Sequence, residues 1–404
     1  MVMEIIAGII VWLSKPKDTR SVRGNCLACR QETESLKERK QMKKISRRRF
    51  IKDTAIVGTA IVTVPTLLIR KAPAAWTPGT TIHPNVDNLK VVGIIDSSMT
   101  RETETDIPWS RQEELVVKER VWEGIDRLAC DLTGLNSPEK AWNTIFVKPP
   151  GKSWSDTVVA IKTNNIAQQH TRSAVMSKVC HVLTDLVGVK AGNIHIYDAC
   201  HGGSMQAATP FSGLPGGARI EGQWGGFSGS ATVNDPWPNA GDTSDCLKQL
   251  GDGTVDVLVN ISMCKGHSER FGGFTMTMKN HFGTFHPSPG HRRGGFEYLL
   301  AINQTPQILG QMDAKTGKVL FPRQQLCIVD GLWASDPGPG GEPTHQPNFM
   351  AMGALPPVVD YVVATQFRAG KMGWDVNMEA TARMLTEFGY SKPDLPNGGR
   401  IFMV

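Results

Sequence analysis

Two hydrophobic spacings alternate along the chain. Leu89–Asp96 (LKVVGIID) is a β-branched apolar run that predicts a strand. From Ser110 to Thr133 the apolar positions Leu115, Val121, Trp122, Ile125, Leu128, Ala129 and Leu132 recur at helical spacing. Asp156–Lys162 (DTVVAIK) predicts a second strand, and a helix follows from about Arg172 to Val187, with Thr171 as its cap and Gly188 as its close. Asn193–Asp198 (NIHIYD) completes a βαβ unit. Residues 199–250 are rich in Gly, Pro, Ser and Asn and too long for a simple connection, so they predict an excursion over the active face. Val255–Ser262 (VDVLVNIS) and Gln325–Asp330 (QLCIVD) supply two further buried strands. This alternation predicts an α/β domain: a largely parallel open sheet with flanking helices and long glycine-rich loops over the carboxyl-end face.

The strand ends carry the chemistry. The five strands end at Asp96, at Lys162 with Asn164 and Asn165, at Asp198 before His201, at Lys265 and His267, and at Asp330. In open parallel sheets, ligands bind beyond the carboxyl ends of the strands, so these residues are expected to converge. Any strand tends to end in a polar residue as it reaches solvent, which accounts for Asp96 and in part for Asp198. Lys162, Lys265, Lys279 and the histidines are harder to explain that way.

The densest stretch runs from Cys264 to Arg293, where four of the ten histidines, His267, His281, His286 and His291, stand among Lys265, Lys279, Asn280, Arg292 and several glycines. Histidine is the commonest transition-metal ligand and the usual acid or base near neutral pH. Lysines and arginines among glycines suit a cationic cradle for a carboxylate or phosphate. The two readings combine if a metal bridges the anion. The expected catalytic residues are His267, Lys265 and Lys279, with His267 as acid–base group. Lys162, Asn164, Asn280, Asp330 and Arg292 are expected to hold the ligand. Asp198, His201, His286 and His291 are expected to hold a divalent metal, whose identity the sequence leaves open.

Charge places the protein in the cell rather than in a function class. The 404 residues allow one large domain or two modest ones, and the net charge is +6. Residues 1–74 hold 16 Lys plus Arg against 6 Asp plus Glu, which leaves 28 basic and 32 acidic side chains in residues 75–404, a net charge of −4. A nucleic-acid partner loses its main support. Ser46-Arg47-Arg48-Arg49-Phe50 precedes an uncharged stretch from Thr54 to Ile69, then Arg70-Lys71 and Ala72-Pro73-Ala74. Basic region, short apolar region and small-residue cleavage site occur in the order of an export signal, and the paired arginines Arg47 and Arg48 match the twin-arginine type. Residues 42–74 are therefore expected to be a twin-arginine signal peptide read by the Tat translocase. The protein would be periplasmic or otherwise extracytoplasmic, with residues 75–404 as a single α/β domain. The apolar stretch, interrupted by Pro65, is short for a bilayer crossing, so no stable membrane span is expected after cleavage. Residues 1–41 form a doubtful N-terminal extension, since Met42 reads as a natural start and the lone Cys26-x-x-Cys29 is weak as a metal or redox motif.

Six cysteines remain after cleavage: Cys130, Cys180, Cys200, Cys246, Cys264 and Cys327. Their spacings are wide and irregular, Cys130, Cys180 and Cys327 read as small buried side chains, and no set has the spacing of an iron–sulfur or zinc site.

Five ordered blocks resemble the domain-of-unknown-function 362 family: Val158 to Asn164; Val257 to Ile261 leading to Lys265-Gly266-His267; Thr275 to Gly283 (TMTMKNHFG); Ile328 to Gly331 with the loop Gly338-Pro339-Gly340-Gly341; and Val358-Val359-Asp360. The resemblance runs from about Leu89 to Ala369 and implies an α/β fold and candidate positions, not a reaction. Many relatives also carry ferredoxin-like cysteine clusters, which this chain lacks. The reading from residues and resemblance together is an exported metal- or cofactor-binding enzyme acting on a small anion in a Lys/His/Asp-lined cleft. A non-catalytic solute-binding protein and a partner subunit of an exported oxidoreductase are the alternatives.

Overall fold

The computed structural model describes residues 76–198, 209–222 and 224–404. The expected export signal with Arg47 and Arg48, the extension 1–41, Cys200 and His201 lie outside the described residues.

Among the described residues, nine strands form one sheet: β1 (Val92–Ile95), β2 (Val159–Lys162), β3 (Ile194–Tyr197), β4 (Arg219–Glu221), β5 (Val257–Gly266), β6 (Phe274–Thr275), β7 (Gln324–Ser335), β8 (Phe349–Gly353) and β9 (Phe402–Met403). Their order is β9-β1-β8-β7-β5-β2-β3-β4, with β6 folded onto the end of β5. The run β7, β5, β2, β3, β4 is parallel throughout. β8 is antiparallel to both its neighbours, which leaves β1 running the same way as β7. The fold is therefore α/β with a mostly parallel sheet, and the carboxyl ends of β1, β2, β3, β5 and β7 share one edge.

Alternation along the strands builds two cores. Val257, Val259 and Ile261 of β5 and Ile161 of β2 pack with helix α1 (Lys118–Thr133), Pro138–Ile145 and α2 (Ser173–His181) on one face. Leu258 and Ala160 point the other way, into a core with Gly295–Ile302 and the helix Pro356–Val362. Burial on both faces is why these strands read as continuous apolar runs.

Several expected elements differ in detail. The helix expected over 110–133 is two helices, Trp109–Leu115 and α1, because Val116 bridges Thr100 and the Val117 N–H bonds the Met99 carbonyl at 2.8 Å. Thr171 does not cap α2. Its hydroxyl accepts from the Asn164 N–H at 3.4 Å, and carboxylates from elsewhere meet the helix start instead: Asp330 accepts from Arg172 N at 2.8 Å and Glu113 from Ser173 N at 3.0 Å. Beyond His181 the helix widens into a π-type turn and stops at Gly188 in the left-handed conformation, φ 92°. Within the expected excursion, Arg219–Glu221 adds an edge strand to the sheet and Gly229–Thr232 pairs with Thr243–Cys246 as a hairpin. The five described cysteines are unbridged, with Cys180 and Cys327 buried and Cys130 partly exposed.

Candidate functional site

At the shared edge, β2 ends on Lys162 and β3 on Tyr197, with Asp198 just beyond. The Lys162 ammonium pairs with Asp198 Oδ1 at 3.2 Å and donates to Asn280 Oδ1 at 3.0 Å. Asp198 Oδ2 accepts from the Asn165 N–H at 3.0 Å. Asn280 Oδ1 also takes a bond from Asn164 Nδ2 at 3.1 Å, while Asn280 Nδ2 donates to Asn260 Oδ1 at 2.9 Å. Asn164 Oδ1 in turn accepts from Lys265 Nζ at 2.8 Å. Five of the residues expected at the site, Lys162, Asn164, Asp198, Lys265 and Asn280, thus share one hydrogen-bonded network. All five are buried. They form a closed polar layer, not the open cleft that the strand ends suggest. The layer continues to His281, whose Nε2 meets Gln324 Oε1 at 2.6 Å and whose Nδ1 meets Thr284 Oγ1 at 3.1 Å. Burial pushes the His281 pKa down to about 3, so the ring is neutral and structural.

The block Thr275–Gly283 reaches the edge because it folds back. β6 pairs antiparallel with the end of β5, setting Thr275 opposite Lys265, and the short helix α3 (Thr277–Asn280) follows at once. Asp360, from helix α4 (Pro356–Val362), fixes the start of α3: Oδ1 accepts from Thr277 N at 2.8 Å and from its hydroxyl, and Oδ2 accepts from Met278 N at 2.9 Å. Asn303 Nδ2 holds the Met278 carbonyl at 3.2 Å. Asp360 therefore places Lys279 and Asn280 without approaching the edge itself. Complete burial raises its pKa to about 7 despite those three donors.

Lys265 is the electrostatic centre. It has no exposed surface. Burial lowers its pKa to about 7; Asp198 opposes the shift, and Lys162, Lys279 and Arg172 add to it. A lysine poised near neutrality can give or take a proton at physiological pH. Lys279 stands beside it with its ammonium 3.7 Å above the Phe282 ring and 4.6 Å from that of Phe271.

His267 is less suited to the acid–base role expected of it. Its Nδ1 accepts from the Ser268 N–H at 2.9 Å, which puts the ring proton on Nε2. Burial, with Lys279, His291 and Lys265 nearby, lowers its pKa to about 3. The ring is a neutral donor packed edge-on to Phe271. His291 lies against Phe271 and Phe282 on the exposed side of this aromatic cluster.

The remaining expected residues are dispersed. Asp330 is fully buried on the other side of β5, where it accepts from the N–H groups of Arg172 and Leu332, and burial raises its pKa. His286 and Arg292 line a separate cavity of about 350 Å³ with Trp237 and Tyr298, so Arg292 does not join the lysines. The expected metal set is not assembled by the residues in view: Asp198 serves Lys162, His286 faces Phe227 and His291 faces the Phe271 cluster. Among the described residues, no three or more His, Cys, Asp or Glu side chains are grouped to hold a metal ion. The residues that the sequence did not single out are Asn260, Gln324, Gly283 and Arg172. Only Asn260 left a mark, as the one amide inside the apolar run VDVLVNIS.

Comparison with curated proteins finds no match, and comparison with solved structures finds none. Residues 159–365 match the family described as Domain of unknown function (DUF362). That stretch is just over half of the 404 residues and contains β2, β3, β5, α3 and β7, which build the polar edge, and Asp360, which fixes α3. On that match the chain belongs to the DUF362 family.

Proposed function

We propose that this is an exported enzyme that takes a small anion at the carboxyl edge of its sheet and uses Lys265 to exchange a proton with it. The observation that carries the reading is the set of cations around Lys265: Lys162, Lys279 and Arg172 all disfavour its charge, while Asp198 pairs with Lys162, and Asp330 and Glu113 lie toward Arg172. An arriving anion would relieve that repulsion and restore the proton to Lys265. Lys279 and Asn280, fixed by Asp360, would help hold it. A metal partner would draw on His201 or other residues outside the described set.

The pH dependence follows from the direction of the Lys265 shift. Below about pH 7 the ammonium is already present and binding is at full strength. Above it, binding must recruit a proton, so affinity is expected to fall about tenfold per pH unit until the pKa of the complex is reached. Calorimetric titration of malonate between pH 6.5 and 9 at constant ionic strength measures this. A flat profile would remove Lys265 from the site.

Export rests on the Arg47-Arg48 pair and the uncharged stretch after it. Replacing both arginines with lysine is expected to leave the precursor in the cytoplasm, because the pair is read by a receptor and charge alone does not suffice. Fractionation and immunoblotting check it; normal export of the Lys-Lys variant would end the assignment.

A further inference from the structure

Arg172 is fully buried, with its guanidinium 5.2 Å from the Trp333 ring. Nη1 donates to the His170 carbonyl and lies 4.0 Å from Met263 Sδ. Nε and Nη2 have no hydrogen-bond partner. Those two groups form one edge of the planar guanidinium, the edge that receives both oxygens of a carboxylate. Asp330 and Glu113 favour the charge of Arg172, but neither bonds the guanidinium. Asp330 accepts from the backbone N–H of Arg172 itself at 2.8 Å, and Glu113 accepts from Ser173 N at 3.0 Å. A buried cation with an unpaired edge is costly, and natural cores avoid it unless something supplies the partner.

The unpaired atoms are also concentrated. Of fifteen buried side-chain atoms without a partner among the described residues, six fall in residues 163–172: Thr163 Oγ1, both amide atoms of Asn165, Gln169 Oε1 and the two of Arg172. This segment leaves β2 at the carboxyl edge, turns back through the small hairpin of Asn165–Ile166 with Gln169–His170, and ends on Arg172. By contrast, the adjoining side chains of Lys162, Asn164 and Asn280 are bonded to one another. Met263, beside Arg172 Nη1, stands two residues before Lys265 on β5, so the two cations share one stretch of that strand, and Arg172 disfavours the charge of Lys265.

We propose that the unpaired edge of Arg172 docks a carboxylate of the ligand while Lys265 meets its second negative group, which makes the ligand a small dicarboxylate. This rests on the anion site proposed above. The edge is sealed from solvent, so docking requires the segment over it to yield. The bonds that must open are those of Gln168 and Gln169: the Gly340 carbonyl accepts from Gln169 Nε2 at 3.1 Å, the Gly341 carbonyl from Gln168 N at 3.3 Å, Gln168 Oε1 from Trp109 N at 2.9 Å and the Gln168 carbonyl from Gln112 Nε2 at 3.1 Å.

The test titrates the full chain at pH 6.5 with malonate, succinate, acetate and inorganic phosphate, by calorimetry and by the arginine Nε–H resonances in ¹⁵N spectra. The better dicarboxylate is expected to bind at least about tenfold more tightly than acetate, a step of about 1.4 kcal/mol, and to shift the Arg172 Nε–H signal to saturation. Arg172→Lys keeps the charge but not the two-pronged edge and is expected to lose most of that advantage. If the variant does not fold, the wild-type signal still decides. Dicarboxylate binding that leaves the Arg172 signal unmoved would overturn this inference and spare the anion site. Phosphate binding more tightly than both dicarboxylates while moving the signal would overturn the ligand class. No anion binding at all would remove both proposals.

Discussion

Gly283→Ala is expected to destabilise the protein by about 3–5 kcal/mol, the cost of breaking a buried ion pair. A Cβ at this position would lie 2.3 Å from Asp198 Oδ1, 2.6 Å from Lys162 Cε and 2.8 Å from Lys162 Nζ. Both side chains are buried and bonded on their far sides, so neither can swing away. Gly283 is not in the left-handed region, and the effect is therefore steric. Gly216→Ala is the control: nothing lies within 4 Å of its Cβ, and the change should stay within about 0.5 kcal/mol. Denaturant unfolding of the two variants measures the contrast, and equal stabilities would mean that the Lys162–Asp198 pair is not held as described.

Asp360→Ala should act on stability and binding together. It strips the partners from Thr277 N, the Thr277 hydroxyl and Met278 N, and each buried donor left unpaired costs roughly 1–3 kcal/mol. With its start released, α3 no longer presents Lys279 and Asn280, so anion affinity should fall as well. Asp360→Asn isolates the charge. Burial raises the Asp360 pKa to about 7, so between about pH 4 and 7 the native state holds a proton that the unfolded chain has released. The contribution of Asp360 is complete at the acid end of that window and is lost as pH rises through 7. The stability difference between wild type and Asp360→Asn should therefore shrink from pH 4.5 to 7.5 in unfolding experiments. A difference independent of pH would show that the carboxyl titrates normally.

The sheet was legible because strands buried on both faces leave continuous apolar runs, as in DTVVAIK and VDVLVNIS. β8 was not, since Phe349-Met350-Ala351-Met352-Gly353 contains no β-branched residue. The expected end of β5 fell short of Gly266 for a related reason: Lys265 looks like a strand end in sequence, yet it is buried within the strand. At the site, parallel topology made Lys162, Lys265 and Asp198 readable as neighbours. Lys279 and Asn280 joined them only through the fold-back at β6, which no spacing reveals. Arg172 stayed hidden because an arginine at the start of a helix ordinarily faces solvent. The histidine-rich stretch pointed to a single centre, whereas His281 entered the polar layer, His267 and His291 the aromatic cluster, and His286 another cavity.

Burial holds the Lys265 pKa near 7, and on the proposed function an arriving anion restores its proton. Titrating malonate at pH 8 in two buffers of different ionisation enthalpy counts the protons taken up. Uptake of about one proton by the wild type, and close to none by Lys265→Met, is the expected result. Malonate binding with no proton uptake, unchanged by Lys265→Met, would show that Lys265 does not exchange a proton with the ligand.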